Sequence, residues 1–337
     1  MKLFIYEMIC GGGSALPAGR HGELEAIDDF LDVPELVADG ASMLRAVCML
    51  CHDRDDIQPC VTVDQRLTEL AASLSYQGVE VRQADPGVPW TSFSRACQDA
   101  DQTMIIAPEL GGLLQEAIGQ CRQVHGNLVG PAETLLELGV DKLALHRWAD
   151  KNDVRMPWYA EVNNGAVEIP QIRKSLLYKP QTGTGGMGVR RWTHADKIPG
   201  DRGFMEQFVE GIAVSVSAVF TVTEFSLVPP WHQELGGEGG FQYVGGQLLV
   251  DESTCRRASE FAFQVFSKLP THNSTGWISL DLIVSADDVF LIELNTRITS
   301  SFEPLCNLPS FVPYLGQQST NVIDLMGAAI RGKSRST

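Results

Sequence analysis

Positive charge is scarce in this sequence. Its 26 lysine and arginine residues stand against 42 aspartate and glutamate residues, which gives a formal net charge of −16 at pH 7. A surface with this excess of negative charge repels phosphate-rich polymers and anionic lipids. The composition therefore argues against a nucleic-acid or membrane partner. It does not argue against a small nucleotide ligand, because such a site needs only a few local cations.

Long apolar runs are also missing. No stretch approaches the roughly 18 consecutive apolar residues of a membrane-spanning helix. The short apolar N-terminus carries Glu7 and lacks the basic and small-residue pattern of an export signal. The sequence therefore predicts a cytoplasmic protein, in which the eight cysteines are free thiols rather than a disulfide scaffold. Cys48–His52 matches the haem-attachment pattern C-x-x-C-H, but its apolar helical setting favours buried thiols.

A dinucleotide-binding fingerprint is absent after the first predicted strand, because Gly11 and Gly13 lack a third glycine at the required spacing. This absence argues against a hydride-transfer enzyme. The first part of the chain instead alternates helical patterns with short buried strands, at Met1–Ile9, Gln58–Val63, Val79–Ala84 and Thr103–Ala107. That alternation predicts a small parallel α/β domain over residues 1–128.

The rest of the chain has a different pattern. Predicted strands such as Leu176–Lys179 and Trp277–Ser285 are separated by helices such as Cys255–Lys268, without regular alternation. This order predicts α+β units over largely antiparallel sheets. We place one lobe at residues 129–205 and a second at residues 206–330, so the predicted fold class is α/β plus α+β.

A glycine-rich loop follows the strand that ends at Lys179. Gly183, Gly185 and Gly188 satisfy G-x-G-x-x-G, but the strand-like segment Val189–Trp192 follows where the dinucleotide fingerprint requires a helix. A strand–loop–strand of this kind predicts a flap whose backbone N–H groups close over phosphates. Lys179 is then a phosphate-binding cation, and Lys142 is a second candidate. A solvated glycine-rich hairpin remains the alternative.

Two acidic strands predict a metal site. With a three-residue loop at Ala286–Asp288, Asp281 lies directly opposite Glu293, and such a pair of like charges is unfavourable unless a cation separates them. Asn295 projects from the same face, and the three side chains offer the hard oxygen ligands that Mg²⁺ prefers. Arg297 follows, suited to hold a carboxylate or phosphoryl group. The alternative is an exposed sheet edge protected by acids.

Taken in order, these motifs resemble the ATP-grasp superfamily over residues from about 130 to 300. The resemblance is carried by Asp141-Lys142, Tyr178–Pro180 with its flap, Glu206–Gly211, Gly276 to Asp281, and Glu293–Arg297. It implies a pre-ATP-grasp domain followed by two α+β lobes that enclose the nucleotide, and an amide-forming, ATP-dependent carboxylate–amine ligase that works through an acyl phosphate.

The resemblance also implies roles for individual residues. The ATP contacts it implies are Lys142, Lys179, Thr182, Gly183, Gly185, Gly186 and the linker Glu206, Gln207, Phe208 and Val209. The backbone N–H and C=O groups of the linker are implied to bind the edge of the adenine base. Many members carry a ribose-binding acid where this chain has Ala213, and Glu210 is the candidate substitute. The resemblance implies two Mg²⁺ ions, replaceable by Mn²⁺, on Asp281, Glu293 and Asn295. Arg297 and Lys179 are the implied catalytic residues.

A narrower resemblance is to a tyramine–glutamate ligase group linked to methanofuran biosynthesis. It is carried by Glu7 with Gly11–Gly13, by Ala107–Glu109, by Ile292–Ser300, and by His232-Gln233 with Tyr243–Gly246, where His232 stands in place of an expected Asn. It implies substrate contacts at Glu7, Glu109, Arg297 and Ser300, although a helix cap is an equal alternative for Glu109. Two alternative functions remain open, a ligase resembling D-alanine–D-alanine ligase and a non-catalytic ATP-binding module. A homodimer is also possible from the sequence. The glycine-rich segment 231–246 is either a substrate lid or an ordered loop.

Overall fold

The computed structural model describes residues 1–14, 28–52, 54–162, 167, 175–193, 203–316 and 318–332. Three sheets organise these residues. The first is a parallel sheet in the order β3-β2-β1-β4-β5, and its strands are β1 (Lys2–Glu7), β2 (Gln58–Asp64), β3 (Glu80–Ala84), β4 (Gln102–Ile106) and β5 (Leu128–Val129). Its helices are α1 (Pro34–His52), α2 (Thr68–Tyr76), α3 (Pro89–Asp99) and α4 (Leu113–Gln123).

Burial on both faces explains why these strands form a parallel sheet. Leu3–Tyr6 is a continuous apolar run and is fully buried, as expected for a strand covered by helices on both sides. The strand ends at Glu7, so the prediction that it reaches Ile9 is wrong. Ile9–Gly13 is instead a tight helical turn at the carboxyl end of β1, and Gly12 within it has a φ of 99°, which glycine adopts without strain.

The second sheet is small and antiparallel, in the order β6-β9-β7-β8. Its strands are β6 (Tyr159–Glu161), β7 (Leu176–Pro180), β8 (Arg190–Trp192) and β9 (Gly203–Gln207). Two helices precede it, α5 (Glu133–Val140) and α6 (Lys142–Lys151). Asp141 caps α6 by accepting hydrogen bonds from the backbone N–H groups of Leu143 and Ala144, which fixes the helix start beside the cleft.

The third sheet has the order β13-β12-β10-β14-β15, and β11 also pairs with β10. Its strands are β10 (Ile212–Phe220), β11 (Phe225–Leu227), β12 (Trp231–Gly236), β13 (Gln242–Leu248), β14 (Gly276–Val284) and β15 (Val289–Asn295). The remaining helices are α7 (Glu252–Lys268), α8 (Phe302–Cys306) and α9 (Val322–Arg331). Segment 231–246 thus lies mostly in the β12–β13 hairpin, which pairs with β10.

The acidic hairpin β14–β15 differs from the prediction in one respect. Its loop has four residues, Ser285 to Asp288, because Val284 pairs with Val289; the predicted three-residue loop is wrong. A β-bulge then leaves Ile292 without a partner, since Leu282 pairs with Leu291 and Asp281 with Glu293. The bulge offsets the longer loop, so the two carboxylates still lie directly opposite each other.

One apolar core connects the first domain to the third sheet. It contains Leu3 from β1, Val47 from α1, Val219 from β10 and Met326 from α9, all at most 1% exposed. A separate core on the other face of the third sheet packs that sheet against α7. The first domain and the large lobe therefore share buried side chains.

The structure can be compared with two further predictions from the sequence, free cysteine thiols and the lack of a membrane-spanning helix. All eight cysteines are free, and Cys48 and Cys51 are buried in α1, which confirms the prediction of buried thiols. Within the described ranges, the longest and most apolar helices still fall short of a membrane-spanning segment.

Candidate active site

A cleft of about 380 Å³ lies between the small antiparallel sheet and the third sheet. The flap after β7, the segment after β9 and the acidic hairpin all contribute to its walls. Thirteen of the predicted site residues line it: Lys142, Lys179, Thr182, Gly183, Gly185, Gly186, Glu206, Gln207, Phe208, Val209, Asp281, Glu293 and Asn295. The predicted residues Glu7, Glu109, Glu210, Arg297 and Ser300 are not part of this lining.

Lys179 belongs to a buried network of three charged or polar side chains. Its Nζ lies 2.5 Å from Oε2 of Glu206, because β7 and β9 are adjacent antiparallel strands. Nε2 of His146 lies 3.1 Å from the other carboxylate oxygen, and its ring stacks on Tyr159. Burial alone would raise the pKa of Glu206, but Lys179 and His146 lower it below its usual value. The Glu206 carboxylate is therefore ionised and holds the lysine.

His146 was not identified from the sequence. A signal was present, because His146 follows Lys142 by four residues on α6 and shares its helix face. Glu206 was predicted only as a linker residue that presents backbone groups to the base. The structure adds a side-chain contact that depends on strand pairing, which local sequence does not specify.

Lys142 connects the flap to the acidic hairpin. Its side chain is buried, and Nζ lies 2.9 Å from Oε1 of Glu293 while donating a hydrogen bond to the carbonyl oxygen of Gly183. The flap base is held to the start of α6, since Gln181 donates to Asp141 at 2.9 Å and accepts from the Lys142 N–H at 3.0 Å. A cation thus lies between the predicted phosphate flap and a predicted metal ligand.

The flap requires glycine at several positions. Gly183, Gly185 and Gly186 have φ values of 132°, 65° and 76°, which side-chain-bearing residues adopt only with strain. Gly186 also approaches another chain segment closely, since a Cβ atom there would lie 2.0 Å from the carbonyl oxygen of Phe241. Phe241 precedes β13, so the flap lies against the turn of the β12–β13 hairpin.

One arginine and two aromatic rings form a cluster in the lining of the cleft. The Arg191 guanidinium lies 4.1 Å from the ring centre of Phe208 and 5.8 Å from that of Phe241. These cation–π contacts join β8 to the linker after β9 and to the hairpin turn. Sequence reasoning identified Phe208 but missed Arg191 and Phe241. Glu210 is exposed and outside the cleft lining, so the structure gives no support to its predicted ribose contact.

The acidic hairpin brings two carboxylates together as predicted. Burial and the neighbouring Glu293 raise the pKa of Asp281 to about 6. Asn295 donates to one Asp281 oxygen at 3.0 Å, and Gln233 donates to the other at 3.1 Å. The sequence analysis named Gln233 only as part of a motif and gave it no role at this site. Two opposed carboxylates beside an amide form a hard-oxygen donor set that fits a divalent cation. In the described parts of the chain, no three His, Cys, Asp or Glu side chains group to hold a metal. The predicted ligand set differs from such a group because its third member is the Asn295 amide.

Arg297 lies beyond the hairpin and contacts the first domain. Its Nε donates to Oε2 of Glu109 at 2.7 Å, and one Nη donates to Oγ1 of Thr184 in the flap at 2.8 Å. Glu109 follows β4, at the carboxyl end of the parallel sheet. It does not cap a helix, since α4 begins at Leu113 after Gly112.

The remaining predicted substrate residues lie elsewhere. Glu7 is buried at the end of β1 and accepts hydrogen bonds from the backbone N–H groups of Cys10 and Ile9. Burial raises its pKa. Ser300 is half-buried after β15. Their contact with substrate stays a prediction.

Two family models match the chain. Residues 140–301 match an ATP-grasp domain, and residues 57–134 match a pre-ATP-grasp domain. No curated protein sequence gives a significant match. The matched ranges confirm the predicted fold class, a pre-ATP-grasp domain ahead of the mixed α/β ATP-grasp lobes.

Several solved structures share the fold. A candidate ATP-grasp superfamily protein from Archaeoglobus fulgidus superposes with a TM-score of 0.67 at 18% identity, over 98% of this chain and 88% of its own. Biotin carboxylase from Campylobacter jejuni gives 0.64 at 16% identity, over 89% and 70%. N5-carboxyaminoimidazole ribonucleotide synthetase from Thermotoga maritima gives 0.58 at 15% identity, over 90% and 73%. At these identities the likeness concerns the fold alone.

Proposed function

We propose that this chain, which has the ATP-grasp fold with a pre-ATP-grasp domain ahead of it, is an ATP-dependent carboxylate–amine ligase. The observation that carries the proposal is the charge arrangement of the cleft. Lys142 and Lys179 face a glycine flap on one side, and Asp281 and Glu293 oppose each other on the other. A site that only bound a nucleotide would not need this complete set of cations and acids.

Each group has a task in the proposed reaction. The substrate carboxylate attacks the γ-phosphorus of ATP, ADP leaves, and an acyl phosphate remains. The amine then attacks the acyl carbon, loses a proton and displaces phosphate, which leaves an amide. Lys142 and Lys179 orient the phosphates, and the flap excludes water that would hydrolyse the acyl phosphate.

Mg²⁺ fits the donor set of Asp281, Glu293 and Asn295, and when bound it neutralises charge on the phosphates during transfer. The chain's own contribution is to hold these ligands on one hairpin. Lys142 contacts Glu293, so the same side chain connects the phosphate-binding side of the cleft with the metal ligands. Arg297 supplies positive charge for the transferring phosphoryl group.

For the substrates, we propose glutamate as the acid and tyramine or a similar aromatic amine as the acceptor. The support is the narrower sequence resemblance around Glu7, Glu109 and Ile292–Ser300. Other amino acids and amines belong in the same test.

The function is tested by Mg-ATP turnover with a panel of amino acids and amines, with ADP release and product mass measured together. ADP released only with glutamate and tyramine, with a product of their condensed mass, supports both proposals. Turnover with another pair keeps the ligase and rejects the substrates. ATP binding without turnover for any pair favours the non-catalytic module.

Glu293→Gln tests the metal ligands. The substitution keeps the side-chain shape but removes one of the two opposed negative charges, so we expect turnover to fall by roughly 100-fold or more. Asp287→Asn, in the exposed loop of the same hairpin, is the matched control and is expected to keep wild-type turnover. Near-normal activity of Glu293→Gln would reject the metal assignment, provided that thermal unfolding shows both variants folded.

A further inference from the structure

We infer that Glu109 is a positioning residue, which orients the guanidinium of Arg297 and, through it, holds the flap in its observed position. The inference rests on the proposed function, since Arg297 acts there on the transferring phosphoryl group. It also changes the interpretation of Glu109, which the sequence suggested as a substrate contact or a helix cap.

Both carboxylate oxygens of Glu109 are engaged by the segment that leaves β15. Oε2 accepts from Nε of Arg297 at 2.7 Å, and Oε1 accepts from the backbone N–H of Thr296 at 3.4 Å. Glu109 is only 1% exposed. A carboxylate that is buried and bonded in this way is committed to the protein, and its charge compensates that of a largely buried arginine.

The bond to Nε determines where the rest of the guanidinium points. Because the group is planar, an anchor at Nε leaves little freedom to the two Nη atoms. One Nη donates to the carbonyl oxygen of Ile298 at 3.1 Å, and the other donates to Oγ1 of Thr184 at 2.8 Å. Thr184 lies in the flap between Gly183 and Gly185, so the orientation of Arg297 and the observed position of the flap are coupled.

This arrangement places the anchor of Arg297 in the pre-ATP-grasp domain. Glu109 follows β4 of the parallel sheet, whereas Arg297 follows β15 of the large lobe and Thr184 lies in the flap. The three side chains therefore join the three parts of the protein at one point. A change at Glu109 should alter the flap even though Glu109 does not line the nucleotide cleft.

The first measurement is hydrogen exchange of the flap, residues 181–189, in the full chain with Mg²⁺ and the non-hydrolysable analogue AMP-PNP. We expect Glu109→Gln to accelerate exchange there about tenfold while the dissociation constant of the analogue changes less than about threefold. Glu116→Gln, a more exposed carboxylate on α4 of the same domain, should leave flap exchange unchanged. Unchanged exchange in Glu109→Gln would overturn the inference. This measurement needs no turnover, so it tests the role of Glu109 even if the protein does not catalyse the proposed ligase reaction.

Turnover separates positioning from a purely structural role. Glu109→Gln should lower kcat about 10- to 100-fold with the KM for ATP near the wild-type value. In an Arg297→Lys background, where the planar group is gone, the same substitution should change kcat less than about threefold. An equal loss in both backgrounds would show that Glu109 acts independently of Arg297.

Thr184→Val covers the case in which Glu109→Gln does not fold. It removes the flap acceptor and leaves the buried ion pair intact, so the expected faster flap exchange cannot come from an unpaired buried charge. Wild-type flap exchange in this variant would overturn the coupling between Arg297 and the flap.

Discussion

Glu206 shows how one buried side chain determines the state of a catalytic candidate. Its carboxylate holds Lys179 on one oxygen and His146 on the other. The pair is shielded from water, so removal of either partner leaves an uncompensated charge in a low-dielectric environment. Lys179 is consequently a fixed cation rather than a mobile surface lysine.

We expect Glu206→Gln to lower the free energy of unfolding by about 3 to 5 kcal/mol at pH 7.5, because Lys179 would stay buried without its carboxylate. Urea denaturation measures this loss. Glu161→Gln removes the partner of Arg147 from an ion pair that is more exposed than the Glu206–Lys179 pair, so it should cost no more than about 1 kcal/mol. Similar losses in both variants would mean that the buried network of Lys179, Glu206 and His146 contributes no more to stability than an exposed ion pair.

The same residue gives a pH dependence. The pKa of folded Glu206 is below its ordinary value of 4.5, so the unfolded chain binds more protons there. Its contribution to stability is present above pH 4.5 and is lost as the pH falls through the lowered pKa. Denaturation curves at pH 3 to 7 should show this loss in the wild type, and a smaller acid sensitivity in Glu206→Gln.

At the residue scale, the sequence predicted which side chains line the cleft better than it predicted their hydrogen-bond and ion-pair partners. Lys142, Lys179, Asp281 and Glu293 were found because each stands in a local motif, and all of them line the cleft. His146 was missed, and Gln233 was named only as part of a motif, because their contacts arise from strand and helix packing between distant parts of the chain. Glu109 was identified as noteworthy, but its bond to Arg297 spans 188 positions and has no local signal.

Among the elements, the flap packs against the turn of the β12–β13 hairpin. The flap was predicted from its glycines, whereas segment 231–246 was left open between a lid and a loop. Its pairing with β10 could not be seen because glycines interrupt the alternation typical of strands. The β14–β15 loop length was also misjudged, since a bulge at Ile292 compensates for one extra loop residue.

Comparing Gly186→Ala with Gly185→Ala distinguishes two effects of an added Cβ atom, backbone strain and steric clash with the hairpin turn. Both residues have positive φ, so alanine strains the backbone by about 1 kcal/mol or more in each. Only at Gly186 would the added Cβ meet Phe241; at Gly185 it meets nothing within 4 Å. We expect Gly186→Ala to lower turnover at least about tenfold more than Gly185→Ala, in an ADP-release assay. Equal effects would indicate that the flap does not close against the hairpin turn during the reaction.

Across the whole molecule, the parallel sheet and the large lobe share one core. The class of each part was predicted from the alternation of strands and helices, and the family models agree. The shared core was not predicted, because it depends on α9 packing against α1 and the third sheet. The sequence-based boundaries at 128 and 205 stay predictions.

Met326→Ala tests this shared core. Met326 is fully buried in α9, so its truncation should cost about 2 to 5 kcal/mol and destabilise the first domain and the large lobe together. Urea unfolding followed by circular dichroism and by hydrogen exchange in β1 should show one common, shifted transition. Val250→Ala, at a residue that is 83% exposed, should shift it by less than about 0.5 kcal/mol. Two separate transitions would contradict a shared core.

The position of α9 also bears on how such proteins can be recombined. A hybrid gene that replaced only residues 1–128 would place a foreign α1 against the native α9 and leave mismatched side chains at the centre of the molecule. The first domain and α9, which are far apart in the sequence, are therefore expected to be exchanged or inherited together.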